Sequence, residues 1–348
     1  MLGMKRVREI LEGVLRDSKV QSAKDLNGLL DEAENFLKNL NGRVEFRKEY
    51  SLTSKFYGSV KSSFEEIVKS YNSGNIIEAS EQLKNLIIKK NREKHIDIIL
   101  EKSVLEKNTP VFRMRVRNDY GLYERKEMFH IPINKINNIA NVRYSMNGYP
   151  CLYLGASLYV CWEEIRRGDI DRVNFVKMKP LEDILLYTTL CPNEFTCKED
   201  VIKFYLFVLC TKKVDNDNDR FKYQYVIPEL LLHSLIKHHL NNKNKDVWGI
   251  KYVSSRYFDN DGKFKSKPIF YNYVIPFIPP VDDGKKSDNL SIKLKETFYV
   301  SETEASYVER VYEDKSVKTN VRPHAYYNTF FWKLEQKLKA EKRLDDKD

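Results

Sequence analysis

The chain has 348 residues, of which 42% are hydrophobic and 32% are charged, so it carries enough apolar material for a core beneath a solvated surface. Its 22 tyrosines and 18 phenylalanines exclude a wholly disordered chain, and its 13 glycines and 11 prolines exclude a collagen-like or linker-dominated one. No apolar run reaches the roughly 18 residues of a membrane helix, and the charges spread over residues 1–20 argue against a secretory signal peptide.

The formal net charge is +10, from 60 Lys and Arg against 50 Asp and Glu. Such a balance is typical of proteins that bind nucleic acids or anionic substrates, but the lysines are interleaved with acidic residues, which favours an ordinary solvated surface. The five cysteines are an odd number, which favours reduced thiols in a cytoplasmic protein. Cys191 and Cys197 are the closest pair, and no second pair or neighbouring histidine completes a zinc site, so we expect no metal.

Residues 1–108 are predicted to form an all-helical domain. The first helix begins after Asp25, carries apolar residues at helical spacing and ends near Asn41. A second helix is predicted over Ser62–Tyr71, and a third begins near Ile76. Little chemistry is expected from this domain.

Residues 109–280 are predicted to form a mixed α/β unit. Val111–Val116 alternates apolar and basic residues, as a half-exposed strand does. Helices are predicted over Leu158–Arg167 and Pro228–Leu240. The further predicted strands are Cys151–Gly155, Val173–Met178, Ile184–Thr189, Lys203–Cys210, Gly249–Ser254 and Pro268–Phe277.

Residues 281–348 are predicted to form a C-terminal extension. A polar loop opens it, a strand is predicted near Leu294–Val300, and a helix over Tyr326–Arg343 follows. The apolar face of that helix suits either the core or a partner, and the sequence leaves both open.

The common nucleotide and hydrolase motifs are absent, including GxGxxG, the P-loop, GxSxG and HExxH. The informative stretch is VRYSMNGYPCLYLGASLYVCWEE, residues 142–164. In it a loop with Arg143 leads to a short strand with Tyr153 and then to a helix that ends near Glu164. Upstream, FRMRV places Arg113 on a strand, and downstream WGIKYVSSR places Ser254 at a strand end.

This set of residues resembles the RES-domain family, which is named for an Arg, a Glu and a Ser spread over the fold. Arg113 follows an aromatic residue as the family's first arginine does, and Arg143 matches the second, although Val142 stands where glycine is usual. Tyr153 in YLG matches the strand tyrosine. Glu164 matches the helix glutamate, although a one-residue slip would select Glu163.

The downstream part of the resemblance is the segment GIKYVS, which matches the family's Gly-Ile-x-Tyr-Pro-Ser. It assigns the family serine to Ser254, with Ser255 as the neighbouring alternative, and Val253 stands where proline is common. The resemblance covers residues 109–280, and residues 1–108 resemble the helical domains that precede some longer RES proteins.

The resemblance implies an α+β fold, with a mixed-sheet RES domain similar to the ADP-ribosyltransferases behind the helical domain. RES proteins degrade NAD as glycohydrolases or phosphorylases and are often toxins of toxin–antitoxin pairs. The expected substrate is therefore NAD, with no metal, and the expected setting is the cytoplasm. Arg113 and Arg143 would bind the pyrophosphate or the nicotinamide ribose, Glu164 would be the catalytic carboxylate, and Tyr153 and Ser254 would shape the pocket.

The chemistry of NAD cleavage suits these residue types. The transition state is oxocarbenium-like, as in glycoside hydrolysis, and the leaving nicotinamide is neutral. Arginine binds phosphate oxygens bidentately, and a carboxylate can bind ribose hydroxyls and stabilise the developing positive charge. Taken singly, each residue also has a structural interpretation: Arg113 on a solvated strand face, Tyr153 in the core, or Glu164 in an ordinary helix ion pair.

Three other functions stay open. The first is ADP-ribosyl transfer to a macromolecule, which keeps the fold and changes the acceptor. The second is a non-catalytic regulator that binds nucleic acid, motivated by the net charge of +10 and the many aromatic residues. In the third, the helical domain recognises a partner, such as an antitoxin or a phage component, and controls the enzyme. A homo-oligomer is also left open, and a membrane partner is not expected.

Overall fold

The computed structural model describes residues 23–41, 54–90, 96–192, 195–216, 218–241, 247–256, 267–277, 290–305 and 330–340. The α-helices are α1 (Leu26–Asn41), α2 (Ser54–Asn72), α3 (Ile76–Ile87), α4 (Leu158–Glu164), α5 (Lys198–Thr211), α6 (Val226–Asn241), α7 (Ile292–Thr297) and α8 (Phe330–Ala340). The strands are β1 (Ile88–Lys90), β2 (Ile96–Ile98), β3 (Lys102–Leu105), β4 (Val111–Val116), β5 (Cys151–Gly155), β6 (Val173–Pro180), β7 (Ile184–Thr188), β8 (Val247–Val253), β9 (Tyr271–Pro276), β10 (Phe298–Val300) and β11 (Glu304–Ala305). The predicted α+β class is confirmed.

The chain divides into two compact units that interleave along the sequence. The first unit comprises residues 1–103, 140–147 and 187–262, and the second comprises residues 104–139, 148–186 and 263–348. Segments of both the predicted helical domain and the predicted RES-like domain occur in the first unit. The domain boundaries at residues 108 and 280 therefore stay predictions.

The first unit has a helical core. Helix α2 packs on α1 and on α3, α1 and α2 also pack on α5, and α3 packs on α6. The ring of Phe36 stacks on Phe204 at 5.3 Å between centroids, and that of Phe64 stacks on Tyr205 at 5.6 Å. The helical spacing of apolar residues in α1 and α2 explains this packing, because it puts their large side chains on one face. Strands β1 and β2 form an antiparallel pair after α3, in a segment predicted to be helical.

Helix α5 corrects one prediction, because its residues Lys203–Cys210 were expected to form a strand. The segment is apolar on every side, and its side chains from Phe204 to Cys210 are all buried. A helix that is enclosed on all sides lacks the polar face that normally reveals helical periodicity, so an apolar run of this length is compatible with either structure.

The second unit is built on a sheet with the strand order β10-β6-β4-β5-β9, and β11 also pairs with β6. Strands β4 and β6 are antiparallel and pair over six residues, from Val111 with Met178 to Val116 with Val173. Strands β5 and β9 are antiparallel and pair along the whole of β5. Strands β4 and β5 pair only at Phe112 with Gly155 and then separate.

Helix α4 follows β5 and packs on β4 and β5. Its N-cap is Ser157, whose Oγ accepts a hydrogen bond from the backbone N–H of Val160. The helix was predicted to continue to Arg167 but ends at Glu164. It ends there because Arg166 and Arg167 have φ angles of 62° and 52°, in the left-handed region that non-glycine residues rarely adopt.

The C-terminal helix α8 packs on α4 through aromatic contacts. The ring of Phe331 lies 5.2 Å from Trp162 and 6.1 Å from Tyr159. The predicted helix over Tyr326–Arg343 is found at Phe330–Ala340, and its remaining residues lie outside the described part of the chain. Upstream of it, the strand predicted near Leu294–Val300 is limited to β10, because α7 occupies Ile292–Thr297.

Candidate active site

Arg113 lies on β4 at the point where β4 and β5 separate. Its Nη1 donates a hydrogen bond of 2.9 Å to the carbonyl oxygen of Tyr153 on β5. Its Nε is buried and has no hydrogen-bond partner among the described residues. Burial, reinforced by the positive charge of Arg115, lowers the pKa of Arg113 to about 10. Arg113 is therefore a partly buried cation whose Nε–H has no acceptor in the described part of the chain.

Glu164 is the last residue of α4, and its side chain is exposed. Its Oε1 accepts a hydrogen bond of 2.6 Å from Nδ2 of Asn272. Asn272 lies on β9, where it is the pairing partner of Gly155, and it is buried. The solvent-accessible carboxylate of Glu164 is thus hydrogen-bonded to the buried side-chain amide of Asn272 on the sheet.

Glu163, the alternative to Glu164, has a different environment. It is buried, and both of its oxygens accept hydrogen bonds from Nε of Arg167, with Nη2 of Arg167 a further donor at 2.9 Å. The left-handed conformation of Arg167 brings its guanidinium back to the preceding turn. Glu163 is therefore engaged in an ion pair at the C-terminal end of α4. Of the two glutamates, only Glu164 is exposed to solvent.

Close packing of α4 on β5 places the Cys161 thiol of the helix against β4. A Cβ atom at Gly155 would lie 2.6 Å from both Cys161 Sγ and Val160 Cγ1, so only glycine allows the helix to lie this close. The Cys161 thiol donates to the carbonyl oxygen of Phe112 at 3.3 Å. Burial raises the pKa of the Cys161 thiol, Glu164 raises it further and Arg113 lowers it, so this thiol lies within range of both charges.

Tyr153 contributes to the same region. It is paired with Val274 of β9, its side chain is half-buried, and its carbonyl is the acceptor for Arg113. The second unit thus brings together three of the five predicted site residues, Arg113, Tyr153 and Glu164, on adjacent strands and the helix that follows them.

Arg143 lies in the first unit, where its guanidinium is bound by backbone carbonyls. Nη1 donates to the carbonyls of Cys210 at 2.7 Å and Gln224 at 3.5 Å, and Nη2 donates to the carbonyl of Lys212. The guanidinium also lies over the ring of Tyr225, 5.2 Å from its centroid. Arg143 is buried, and its hydrogen bonds serve to hold three carbonyls of its own unit.

Ser254 is also in the first unit. It is fully buried at the end of β8, and its Oγ accepts a hydrogen bond of 3.2 Å from the N–H of Arg256. The alternative, Ser255, is partly exposed. The ligand-binding roles that the resemblance implies for Arg143 and Ser254 stay predictions.

Asn272 is the residue that the sequence analysis missed. It lies within the predicted strand Pro268–Phe277, in the otherwise apolar and aromatic run IFYNYVIPF. A single amide in such a run is a usable signal, because a buried polar side chain needs a hydrogen-bond partner. Its partner, Glu164, is 108 residues away in sequence, so the signal predicts a partner without identifying it.

Among the described residues, no group of three or more His, Cys, Asp or Glu side chains is arranged to hold a metal ion. The five cysteines, all of them described, form no disulfide. In the described segments, no helix is both long enough and apolar enough to cross a membrane.

Comparisons with known proteins give one curated relative. The chain is 30% identical over 254 residues to the protein named "Putative toxin YopC" of Bacillus subtilis (strain 168), a match that covers 64% of this chain and 54% of YopC. The chain therefore spans about half the length of this relative. No family model and no solved structure matches the chain.

Proposed function

We propose that this chain degrades NAD by cleaving the bond between nicotinamide and ribose, as a glycohydrolase or a phosphorylase. In the hydrolytic form, NAD and water give ADP-ribose, nicotinamide and one proton. The electron pair of the C1–N bond goes to the nicotinamide nitrogen and neutralises the ring, and the water oxygen forms the new bond to C1 and loses the proton. With phosphate as the acceptor, a phosphate oxygen forms the new bond to C1.

The observation that carries the proposal is the accessible carboxylate of Glu164, held by Asn272 at the end of α4, the helix that packs on the strand of Arg113. A reaction that builds positive charge on ribose needs a fixed carboxylate more than it needs a strong acid, because the leaving group is neutral. The exposure of Glu164 and the burial of Glu163 in its pair with Arg167 favour Glu164 for that role.

Arg113 supports the recognition of an anionic substrate. A guanidinium in a desolvated position is stabilised by a phosphate, and its unpartnered Nε–H is a donor that phosphate oxygens accept readily. Tyr153, which is joined to Arg113 through its carbonyl, is partly exposed and offers a ring edge or face to the nicotinamide.

We further propose that the chain acts as a toxin or an anti-phage effector. Its similarity to YopC supports the toxin part of this proposal, because that protein is named as a candidate toxin. A cognate inhibitory protein is the partner expected of such a toxin, and the cytoplasm, where NAD is abundant, is the expected setting.

The direct test follows nicotinamide release from NAD by the purified full chain. We expect release by the wild type and a loss of at least about 100-fold in the Glu164→Gln variant. Glu182→Gln is the matched control, because Glu182 is an exposed carboxylate of the same unit that lies outside the site. No release by the wild type, or full release by Glu164→Gln, would refute the proposal.

The products identify the acceptor in the same experiment. Free ADP-ribose indicates water, and a phosphorylated ADP-ribose that forms only when phosphate is added indicates phosphate. Label from NAD that stays on a protein or nucleic acid would instead indicate ADP-ribosyl transfer.

A further inference from the structure

We infer that Asn272 is a positioning residue that fixes the Glu164 carboxylate for the cleavage of NAD. The inference rests on the proposed function and adds to it a residue that does not touch the substrate. It starts from one short contact, the hydrogen bond of 2.6 Å from Asn272 Nδ2 to Glu164 Oε1.

The two partners differ in how firmly each is held. Asn272 is 4% exposed and forms the last pair of the β5–β9 ladder, next to the pair of Tyr273 with Leu154. On its other side the carbonyl of Tyr271 accepts a hydrogen bond of 2.8 Å from the N–H of Ala156. Glu164 is exposed at the end of a helix of seven residues, and its side chain has three rotatable bonds. An exposed glutamate normally samples many rotamers, so a rigid donor is required to keep it in one position.

The backbone around the contact is arranged to permit it. Asn272 is the direct pairing partner of Gly155, and the missing Cβ of Gly155 lets α4 lie against β5. Helix α4 therefore ends within reach of the amide. The amide is also the appropriate chemical group, because it donates to a carboxylate without adding a second negative charge, which an aspartate at the same place would bring.

This geometry predicts that substitution of Asn272 affects the binding of NAD and the rate of its cleavage differently. Loss of the donor leaves the pyrophosphate contacts untouched, so the binding of NAD changes little. Without this hydrogen bond the carboxylate is held less firmly in the position proposed to face the ribose, and misplacement of a catalytic group by about 1 Å can cost a hundredfold in rate. The inference therefore predicts a fall in kcat with a nearly constant KM.

The test compares Asn272→Asp, Asn272→Ala and Asn272→Ser in nicotinamide release by the full chain. Asp is nearly isosteric but replaces the donor with an acceptor, whereas Ser keeps a shorter donor. We expect kcat to fall about 100-fold in the Asp and Ala variants and less in the Ser variant, with KM within about threefold of the wild type. A residue that served only packing would give the opposite order, with Asp the best tolerated.

Asn174→Ala is the matched control. Asn174 is a buried asparagine on β6 of the same sheet, and it binds the N–H of Tyr123 at 2.7 Å and the carbonyl of Gly121. Its loss should lower thermal stability at least as much as Asn272→Ala while kcat stays within about twofold. If Asn272→Ala does not fold, the Asp and Ser variants carry the same comparison.

The outcomes distinguish the two proposals. If the wild type releases nicotinamide and Asn272→Asp does so at a similar rate, the inference is overturned and the proposed function stands. A rise in KM at constant kcat overturns it equally. If the wild type releases none, the proposed function fails and the inference fails with it.

Discussion

Two arginines that were predicted for one task lie in contrasting environments. In the first unit, the guanidinium of Arg143 donates to three backbone carbonyls and lies over the ring of Tyr225. In the second unit, the guanidinium of Arg113 donates to one carbonyl and keeps a buried Nε without a partner. Backbone carbonyls therefore accept the hydrogen bonds of the Arg143 guanidinium. The guanidinium of Arg113 keeps one buried N–H, at Nε, for which the described residues provide no acceptor.

This difference matters because an unsatisfied buried donor raises the free energy of the folded state. Where such a donor lies on a strand that contacts the helix of an accessible carboxylate, a ligand is the simplest source of the missing acceptor. Arg143 needs no ligand to account for its position. The contacts within the fold account for the position of Arg143, whereas binding of an anionic substrate is the role proposed for Arg113.

The largest effect on stability is expected at Arg143. Replacement by methionine fills most of the same volume and leaves the carbonyls of Cys210, Lys212 and Gln224 without their donor. Because each unsatisfied buried group costs about 1–3 kcal/mol, the free energy of unfolding should fall by about 3 kcal/mol or more. Urea denaturation followed by circular dichroism measures this. If Arg143→Met were as stable as the wild type, the structural role of Arg143 that distinguishes it from Arg113 would be refuted.

Arg113→Met should behave differently. Among the described residues no carboxylate pairs with Arg113, so its removal relieves the desolvation of a charge and loses one hydrogen bond. We expect the free energy of unfolding to change by less than about 1 kcal/mol, while nicotinamide release falls about 100-fold. The same denaturation and release assays apply. A loss of stability equal to that of Arg143→Met, with activity retained, would reverse the assignment.

A smaller effect is expected at a third arginine, Arg117, which is paired with the exposed Asp119. The hydrogen bond from Arg117, followed by that from the N–H of Gly121, lowers the pKa of Asp119 from 3.8 to about 2. Because the folded pKa lies below the unfolded value, the pair stabilises the protein above about pH 4 and ceases to do so as the pH falls towards 2.

The urea midpoint of Asp119→Asn should accordingly lie slightly below that of the wild type at pH 6, and the gap should narrow as the pH falls from 4 to 2. Arg117→Gln should weaken the same pH dependence and leave the smaller part that the N–H of Gly121 provides. A gap that is constant over this range would mean that the pair contributes nothing, as is common for exposed ion pairs.

Much of the second unit could be predicted from local sequence. Strands β4 and β5 lie at the predicted residues, Val111–Val116 and Cys151–Gly155, because short runs between turn residues define them well. Helix α5 could not be assigned in this way, since a fully buried helix shows no polar face. The end of α4 was also missed, because it depends on two arginines in a conformation that glycine usually adopts.

The sequence suggested residues for the candidate site, whose roles stay predictions, and it indicated few of their contacts. The structural interpretation of this segment was a helix with ordinary i,i+3 ion pairs. The structure instead pairs Glu163 with Arg167, four residues along the chain and beyond the end of α4. The contact of Asn272 with Glu164 depends on the pairing of β5 with β9, and the burial of Arg143 depends on loops that are distant in sequence. Contacts of this kind follow from tertiary packing, which no short motif encodes.

The docking of α8 on α4 has a consequence for synthesis. Besides its aromatic contacts, α8 provides the buried Glu335, whose Oε1 accepts a hydrogen bond of 2.6 Å from the N–H of Leu158 in the first turn of α4. Helix α4, which carries Glu164, is thus packed against α8, whose residues the ribosome adds more than 160 positions later. A nascent chain that has not yet reached Phe331 holds Glu164 on an uncovered helix.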